Sequence, residues 1–232
     1  MRRGKKYKNV IQNRKEEYSL IDGLDAVKSL STSKFPSKIE CHISLNLNTK
    51  NNNQIIRGNV VYKHKIGNDK NILVLIDKIP EGLKEDKNIK IGLNEYIEKI
   101  KNNWLDFDIL ITTPEIMPQV TSLGNILGPK SLMPNIKNGT ITNNIQKTVN
   151  EYKKGKTDFK SDQTNTIHTI IGSVDNTKEE LLDNIIALMK AISATTGKPL
   201  ISIINSIYIA PTMGPSIKIN KKEISDINLQ LI

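Results

Sequence analysis

The sequence predicts an α+β domain assembled from both ends of the chain, with an α/β domain inserted between them. Three observations carry this. Residues 1 to 66 alternate apolar and polar side chains, the residues after Gly67 form continuous apolar runs, and alternation returns after Phe159. With 232 residues and 37% hydrophobic content, the chain can bury the core of one large domain or two modest ones.

The first element is a helix from about Asp22 to Thr32, with Leu24, Val27 and Leu30 three apart on one face. A strand follows, in which Ile39, Cys41, Ile43, Leu45 and Leu47 alternate with Glu40, His42, Ser44 and Asn46. That period of two marks a sheet with one buried face. Asn51 to Asn53 reads as a loop and Gly58 to Lys63 as the returning strand.

Ile72 to Ile76 has the unbroken apolar character of a strand buried on both faces of a parallel sheet. Helical segments near Glu81 to Lys87 and Asn94 to Asn102 precede a second such run, Phe107 to Ile111. Strand, helix and strand in this order form a βαβ unit, which makes the middle a three-layer, Rossmann-like α/β domain. A helix begins near Pro114, and another covers Thr142 to Lys153 and ends at Gly155.

In the last third, Thr166 to Ile171 is a strand, and Lys178 to Ala194 is an amphipathic helix with Leu181, Leu182, Ile185, Leu188, Met189 and Ile192 on its apolar face. Ile201 to Ile209 is a long strand and Ser216 to Ile219 a short one. The expected division is residues 1–66 with 160–232 as a split βαβ-like, antiparallel α+β domain, and residues 67–159 as the insertion. The two chain crossings, near 66–67 and 158–159, form a natural hinge.

Charge narrows the function. The net charge is +10, so an anionic partner comes first. Residues 1–66 hold 14 Lys and Arg against 5 Asp and Glu, whereas the other two thirds are nearly balanced. The excess is led by Arg2, Arg3, Lys5, Lys6, Lys8, Arg14 and Lys15, which read as a short basic tail able to track phosphates. Only four of the 34 basic residues are Arg, and Ile and Asn abound, as AT-rich codons would give.

Other classes find little support. A lone cysteine, Cys41, excludes an intrachain disulfide and a cysteine cluster for zinc. His42, His64 and His168 are far apart in sequence, so no metal is expected. No apolar run approaches the roughly 20 residues that span a bilayer, so no membrane partner is expected. No catalytic residues and no cofactor emerge: a nucleophile elbow and paired histidines at helical spacing are both missing.

Leu123 to Thr140, LGNILGPKSLMPNIKNGT, packs three Gly and two Pro into eighteen residues. Its GNILGPKS portion departs from a phosphate-binding P-loop, because three residues separate the glycines and Pro129 stands between Gly128 and Lys130. RNA binding has better material. Lys34-Phe35 places an aromatic beside a cation, suited to stacking or to packing against a sugar. Pro211 to Ser216 forms a tight turn with a hydroxyl, a soft apolar side chain and a glycine.

These segments resemble the ribosomal protein L-one family, of bacterial or organellar type, over nearly the whole chain. The resemblance rests on SKFPSKIECHISL (33–45), RGNVVYKH (57–64), LGNILGPKSLMPNIKNGT (123–140), IHTIIG (167–172) and TMGPSIKIN (212–220). It implies a non-enzymatic protein with one discontinuous and one inserted domain, placed on the mobile stalk of the large ribosomal subunit. Implied partners are large-subunit rRNA, exit-site tRNA whose release the stalk assists, other large-subunit proteins, and the protein's own messenger, which it would repress.

Lys34, Phe35, Ser206, Thr212, Met213 and Gly214 match the family's rRNA contact, and Gly128, Pro129, Lys130, Met133, Pro134 and Gly139 its marker loop. The chain departs from the family at Lys130-Ser131, usually Arg-Gly, and at Ile136, usually Pro. It also carries Lys160-Ser161-Asp162-Gln163 with Asn165, where Arg-Asn-Asp-Lys with a nearby Gly is usual, so no RNA contact is carried over near Asp162. Composition and the MGPSIKIN ending favour a plastid ribosome, with a bacterial cytoplasm as the alternative.

Overall fold

The computed structural model describes residues 4–11, 15–46, 55–67, 70–77 and 86–221. In chain order the elements are α1 (Lys5–Ile11), α2 (Leu20–Ser29), β1 (Lys38–Leu45), β2 (Arg57–Val61), β3 (Ile72–Leu75), β4 (Ile89–Gly92), α3 (Asn94–Lys101), β5 (Ile109–Thr112), α4 (Met117–Thr121), α5 (Gly124–Leu127), α6 (Ile145–Lys153), β6 (Lys156–Lys160), β7 (Thr166–Ser173), α7 (Lys178–Thr196), α8 (Leu200–Ile203), β8 (Ile204–Pro211) and β9 (Ile217–Ile219). The chain is mixed α and β, with antiparallel and parallel sheets. It clusters into two compact units, one of residues 1–67 with 157–232 and one of residues 68–156.

The first unit is built on an antiparallel sheet of order β7-β1-β8-β9. Alternation on β1 buries Ile39, Cys41, Ile43 and Leu45. They pack with Leu24 and Val27 of α2 and with Leu181, Ile185, Leu188 and Ile192 of α7. Both helices start from side-chain caps, Ser19 on α2 and a Thr177–Glu180 capping box on α7. The cap sets α2 two residues before the expected Asp22, and Leu30 closes it before Thr32.

Two bulges tune the outer face. Glu40 pairs with Ile170 while Ile39 pairs with Gly172, so Ile171 is the extra residue on β7. Ser44 pairs with Ser206 while Leu45 pairs with Ile204, so Asn205 is the extra residue on β8. The expected strand from Ile201 is corrected here: Pro199 opens a single helical turn, and the strand begins at Ile204. The segment 57–61 does not return along β1 but pairs with β6, a strand the patterning missed because only Phe159 on it is an obvious apolar residue. Gly58 permits this pairing, since an added Cβ would lie 2.6 Å from the Phe159 ring. The expected basic tail contains α1, whose Val10 packs against the core of this unit.

In the second unit β3 is the middle strand of a parallel sheet of order β4-β3-β5, buried along its whole length. Patterning missed β4 because IKIG is short and carries a lysine. Of the helix expected over Glu81 to Lys87, residues 81–85 lie outside the described residues, as does Asn51 to Asn53; Asp86 bridges to Ile89 in a turn. Pro114 sits in a turn and the helix starts later, at Met117. Ile100, Val120, Leu127, Val149 and Tyr152 complete the core around the sheet.

Candidate nucleic-acid interface

The Pro211 to Ser216 turn closes the hairpin between β8 and β9, and it is fixed at both shoulders. The Thr212 amide donates to the Lys38 carbonyl at 2.8 Å, and the Gly214 amide donates to the Pro211 carbonyl at 2.9 Å. The Thr212 hydroxyl lies 3.1 Å from the Lys38 carbonyl and 3.2 Å from the Glu40 carboxylate, and donates to one of them. A Cβ on Gly214 would lie 2.4 Å from Pro211 Cγ and 3.0 Å from the Leu30 carbonyl oxygen, so only glycine closes the turn against the end of α2.

Between these shoulders Met213 takes a left-handed φ of +66° and is 77% exposed. A non-glycine residue in that conformation costs about 1–2 kcal/mol. An exposed apolar side chain on a strained, hydrogen-bonded turn is held out toward solvent, where it can insert into a partner.

The Phe35 loop runs from Leu30 to Lys38, the same two residues that flank the turn. Serines shape it: the Ser33 hydroxyl donates to the Phe35 carbonyl at 2.9 Å, and the Ser31 and Ser37 hydroxyls bond at 2.8 Å. Phe35 is 55% exposed and Lys34 is exposed, so Phe35 is not a core residue. The structure thus brings Lys34, Phe35, Thr212, Met213 and Gly214 together at one end of the sheet.

Ser206 lies on the same strand six residues before Thr212, about 20 Å away at strand rise. The Asn205 bulge sets it on the outer face beside Ser44. It lines an open groove of about 490 Å³ with Glu17, Ile201, Asn205, Lys218 and Lys221. Lys5 is exposed on α1, and the Lys6 side chain, Arg2 and Arg3 lie outside the described residues.

The outer face also holds groups that sequence spacing did not join. His42 pairs in register with His168 on one side and with Tyr208 on the other, and Tyr208 pairs with Lys218. The His42 and His168 Nδ1 atoms are 2.8 Å apart. Burial, then the neighbouring His168, lowers the His42 pKa below 6.5, with Glu40 opposing. Asp162 accepts from the Thr166 amide, the Thr164 hydroxyl and the Thr164 amide at 2.8 Å each, which holds its carboxyl down to about 2.

The marker loop belongs to the second unit. Gly128 is helical, its amide spent on the Gly124 carbonyl, and the following turn ends in a Schellman cap: Leu132 donates to the Leu127 carbonyl and Ser131 to the Gly128 carbonyl. Ser131 occupies the left-handed cap position at φ +58°. These amides are therefore bonded internally, which removes the P-loop comparison. Pro129 and Lys130 are exposed, Met133 is half-buried against the core and Pro134 is buried. At Gly139, φ +69°, an added Cβ would lie 3.2 Å from Lys156 Nζ, which in turn pairs with Glu151. Ile136 stands 76% exposed on this loop.

Comparison with known proteins gives the family. The model of the ribosomal protein L1p/L10e family matches residues 27–215. The large ribosomal subunit protein uL1 of Bacteroides fragilis is 38% identical over 214 residues, covering 90% of this chain and 91% of that protein. Its counterpart from Aster yellows witches'-broom phytoplasma is 38% identical over 231 residues, covering 97% and 100%. The match takes in the Phe35 loop, the marker loop and the Met213 turn, and the chain belongs to the ribosomal protein L1p/L10e family, whose members are structural and not enzymes.

Proposed function

We propose that this protein is a structural constituent of the large ribosomal subunit, bound to large-subunit rRNA at the mobile stalk and neighboured by other ribosomal proteins. The observation that carries this reading is the turn 211–216: Met213 is presented in a strained, exposed conformation on a turn fixed against Leu30 and Lys38, the two ends of the loop that exposes Lys34 and Phe35. Apolar insertion and stacking hold the RNA, Thr212 and Gly214 fix the approach of the backbone, and the basic residues Arg2, Arg3, Lys5 and Lys6 neutralise phosphates.

The two units act as a discontinuous RNA-binding domain, residues 1–66 with 160–232, and an inserted three-layer α/β domain, residues 67–159, that moves about the crossings between them. The movable domain assists release of deacylated tRNA, with the loop 123–140 shaping its face toward the hinge or the tRNA. The same RNA surface serves to repress the protein's own messenger. The bacterial relatives support a bacterial ribosome as the location, whereas the plastid reading rests on composition and the MGPSIKIN ending alone.

Met213→Asp tests the reading. Binding of an isolated rRNA stalk fragment should weaken by about 2 kcal/mol or more, as for a buried interface anchor. Unchanged affinity would remove the turn from the interface. Gradient sedimentation separates the two RNA roles: cofractionation with large subunits supports the structural one, and absence from them leaves the messenger regulator.

A further inference from the structure

We propose that the His42–His168 pair on the open face of the β7-β1-β8-β9 sheet is a chelating site for a divalent transition-metal ion, of the Zn²⁺ or Ni²⁺ class. Cross-strand pairing places the two imidazoles side by side, with ring centroids 5.0 Å apart and Nδ1 atoms at 2.8 Å. Two imidazole nitrogens bound to one ion at about 2.05 Å are about 2.9 Å apart at a right angle and about 3.3 Å apart at a tetrahedral angle. In separation the pair therefore matches a square-planar ion, and a tetrahedral ion after opening by about 0.5 Å; the Nδ1 lone pairs, which face each other across the 2.8 Å contact, turn onto the ion by ring rotation.

The far nitrogens carry the second sign of such a site. His168 Nε2 lies 3.5 Å from Asp162 Oδ2, and His42 Nε2 lies 3.8 Å from Glu40 Oε2. A metal-binding histidine commonly directs its other ring nitrogen at a carboxylate, which fixes the ring and raises its basicity. Here His168 Nε2 stands at the edge of hydrogen-bond distance from Asp162 and His42 Nε2 within ion-pair range of Glu40, in a chain running Glu40, His42, His168, Asp162. With neutral imidazoles this chain carries two negative charges, on a protein whose net charge is +10. The cation nearest in register on that row, Lys218, is paired with Glu17. An incoming divalent ion thus meets two nitrogen donors and a local negative potential.

Among the described residues no group of three or more His, Cys, Asp or Glu side chains converges as a complete metal cage. The site is a bidentate one, with the remaining positions left to water or other exogenous ligands. The proton between the two Nδ1 atoms moves to the Nε2 of the ring that carried it, facing its carboxylate, which frees both Nδ1 lone pairs; protonation of either ring competes with the ion, so binding weakens on acidification.

Calorimetric titration of the free protein with ZnCl₂, and separately NiCl₂, tests this at neutral pH. One ion should bind per chain. His42→Asn and His168→Asn should each weaken binding by about tenfold or more, and Glu40→Gln by about tenfold, the loss typical of an outer carboxylate. His64→Asn, away from the pair, should leave it unchanged. Circular dichroism of each variant shows that it is folded. Equal affinity in wild type and in a folded His42→Asn variant overturns the proposal, as does no binding at millimolar metal. RNA takes no part in the titration, so its outcome is independent of the ribosomal reading.

Discussion

Met213→Gly should stabilise the protein and weaken its grip on RNA, two effects of opposite sign from one substitution. In the free protein Met213 is 77% exposed at φ +66°, so its side chain contributes little burial while its backbone is strained. Glycine removes a left-handed penalty of about 1–2 kcal/mol and adds an unfolded-state entropy cost of about 0.5–1 kcal/mol. The net gain is up to about 1.5 kcal/mol, or a Tm rise of up to about 3–6 °C for a chain of this size.

Burying a methionine side chain against RNA contributes about 1.5–3 kcal/mol, so the same variant should bind a stalk fragment at least about tenfold more weakly. Thermal unfolding and a filter-binding titration read the two effects separately. A fall in Tm would show that Met213 supports the fold, and retained affinity would show that the turn is not an anchor. Either result refutes the assignment of this residue.

Ser131→Gly should raise stability by about 0.5–1 kcal/mol in thermal unfolding, because it places glycine at the left-handed cap of the marker loop, and it should leave RNA affinity unchanged. Cys41 is fully buried and its thiol is pushed up to about 12, so a disulfide-exchange reagent should label it only after denaturant is added; rapid labelling in native buffer would reveal opening of the β1 core. For His42 the folded pKa is lowered below 6.5, so its stabilising contribution is full above that value and declines as pH falls through and below it. Tm measured with a chelator present should drop between neutral pH and about pH 5.5, and His42→Asn should flatten that slope; an unaltered slope would assign the pH dependence elsewhere.

Much of the fold was legible because its patterns are local. Alternation along β1, the solid apolar run of β3 and the helical face of α7 each follow from burying one face or two. What escaped depended on distant partners. The strands β4 and β6 are short and polar, and exist because β3 and β2 offer them edges. The pairing of 57–61 with β6 could not be told from a hairpin return to β1 by periodicity. Asn184 lies fully buried in α7 among apolar residues because its side chain bonds the His64 backbone and the Ile171 carbonyl, contacts 120 and 13 residues away. Of the proposed interface, the turn and the Phe35 loop were suggested by residue type. The His42–His168 contact spans 126 positions and follows only from strand register.

Among the described residues, four non-glycine residues take left-handed φ values, Asn103, Ser131, Asn165 and Met213, and their surroundings differ. Ser131 is compensated by the Schellman hydrogen bonds at the end of its helix, and Asn165 by the Asp162 turn and by its carbonyl, which accepts from Leu45 at 2.9 Å. Asn103 donates to the Ile100 carbonyl as α3 ends, and asparagine tolerates this conformation. Met213 differs in side chain as well as in position. The turn bonds are made by its neighbours Thr212 and Gly214, and its own long apolar side chain is directed into solvent. Glycine or asparagine there would close the same turn at lower cost. A conformational cost borne by an exposed methionine that a smaller residue would avoid is what contacts made outside the chain would offset, and in the proposed rRNA interface Met213 and Phe35 are the side chains offered to them.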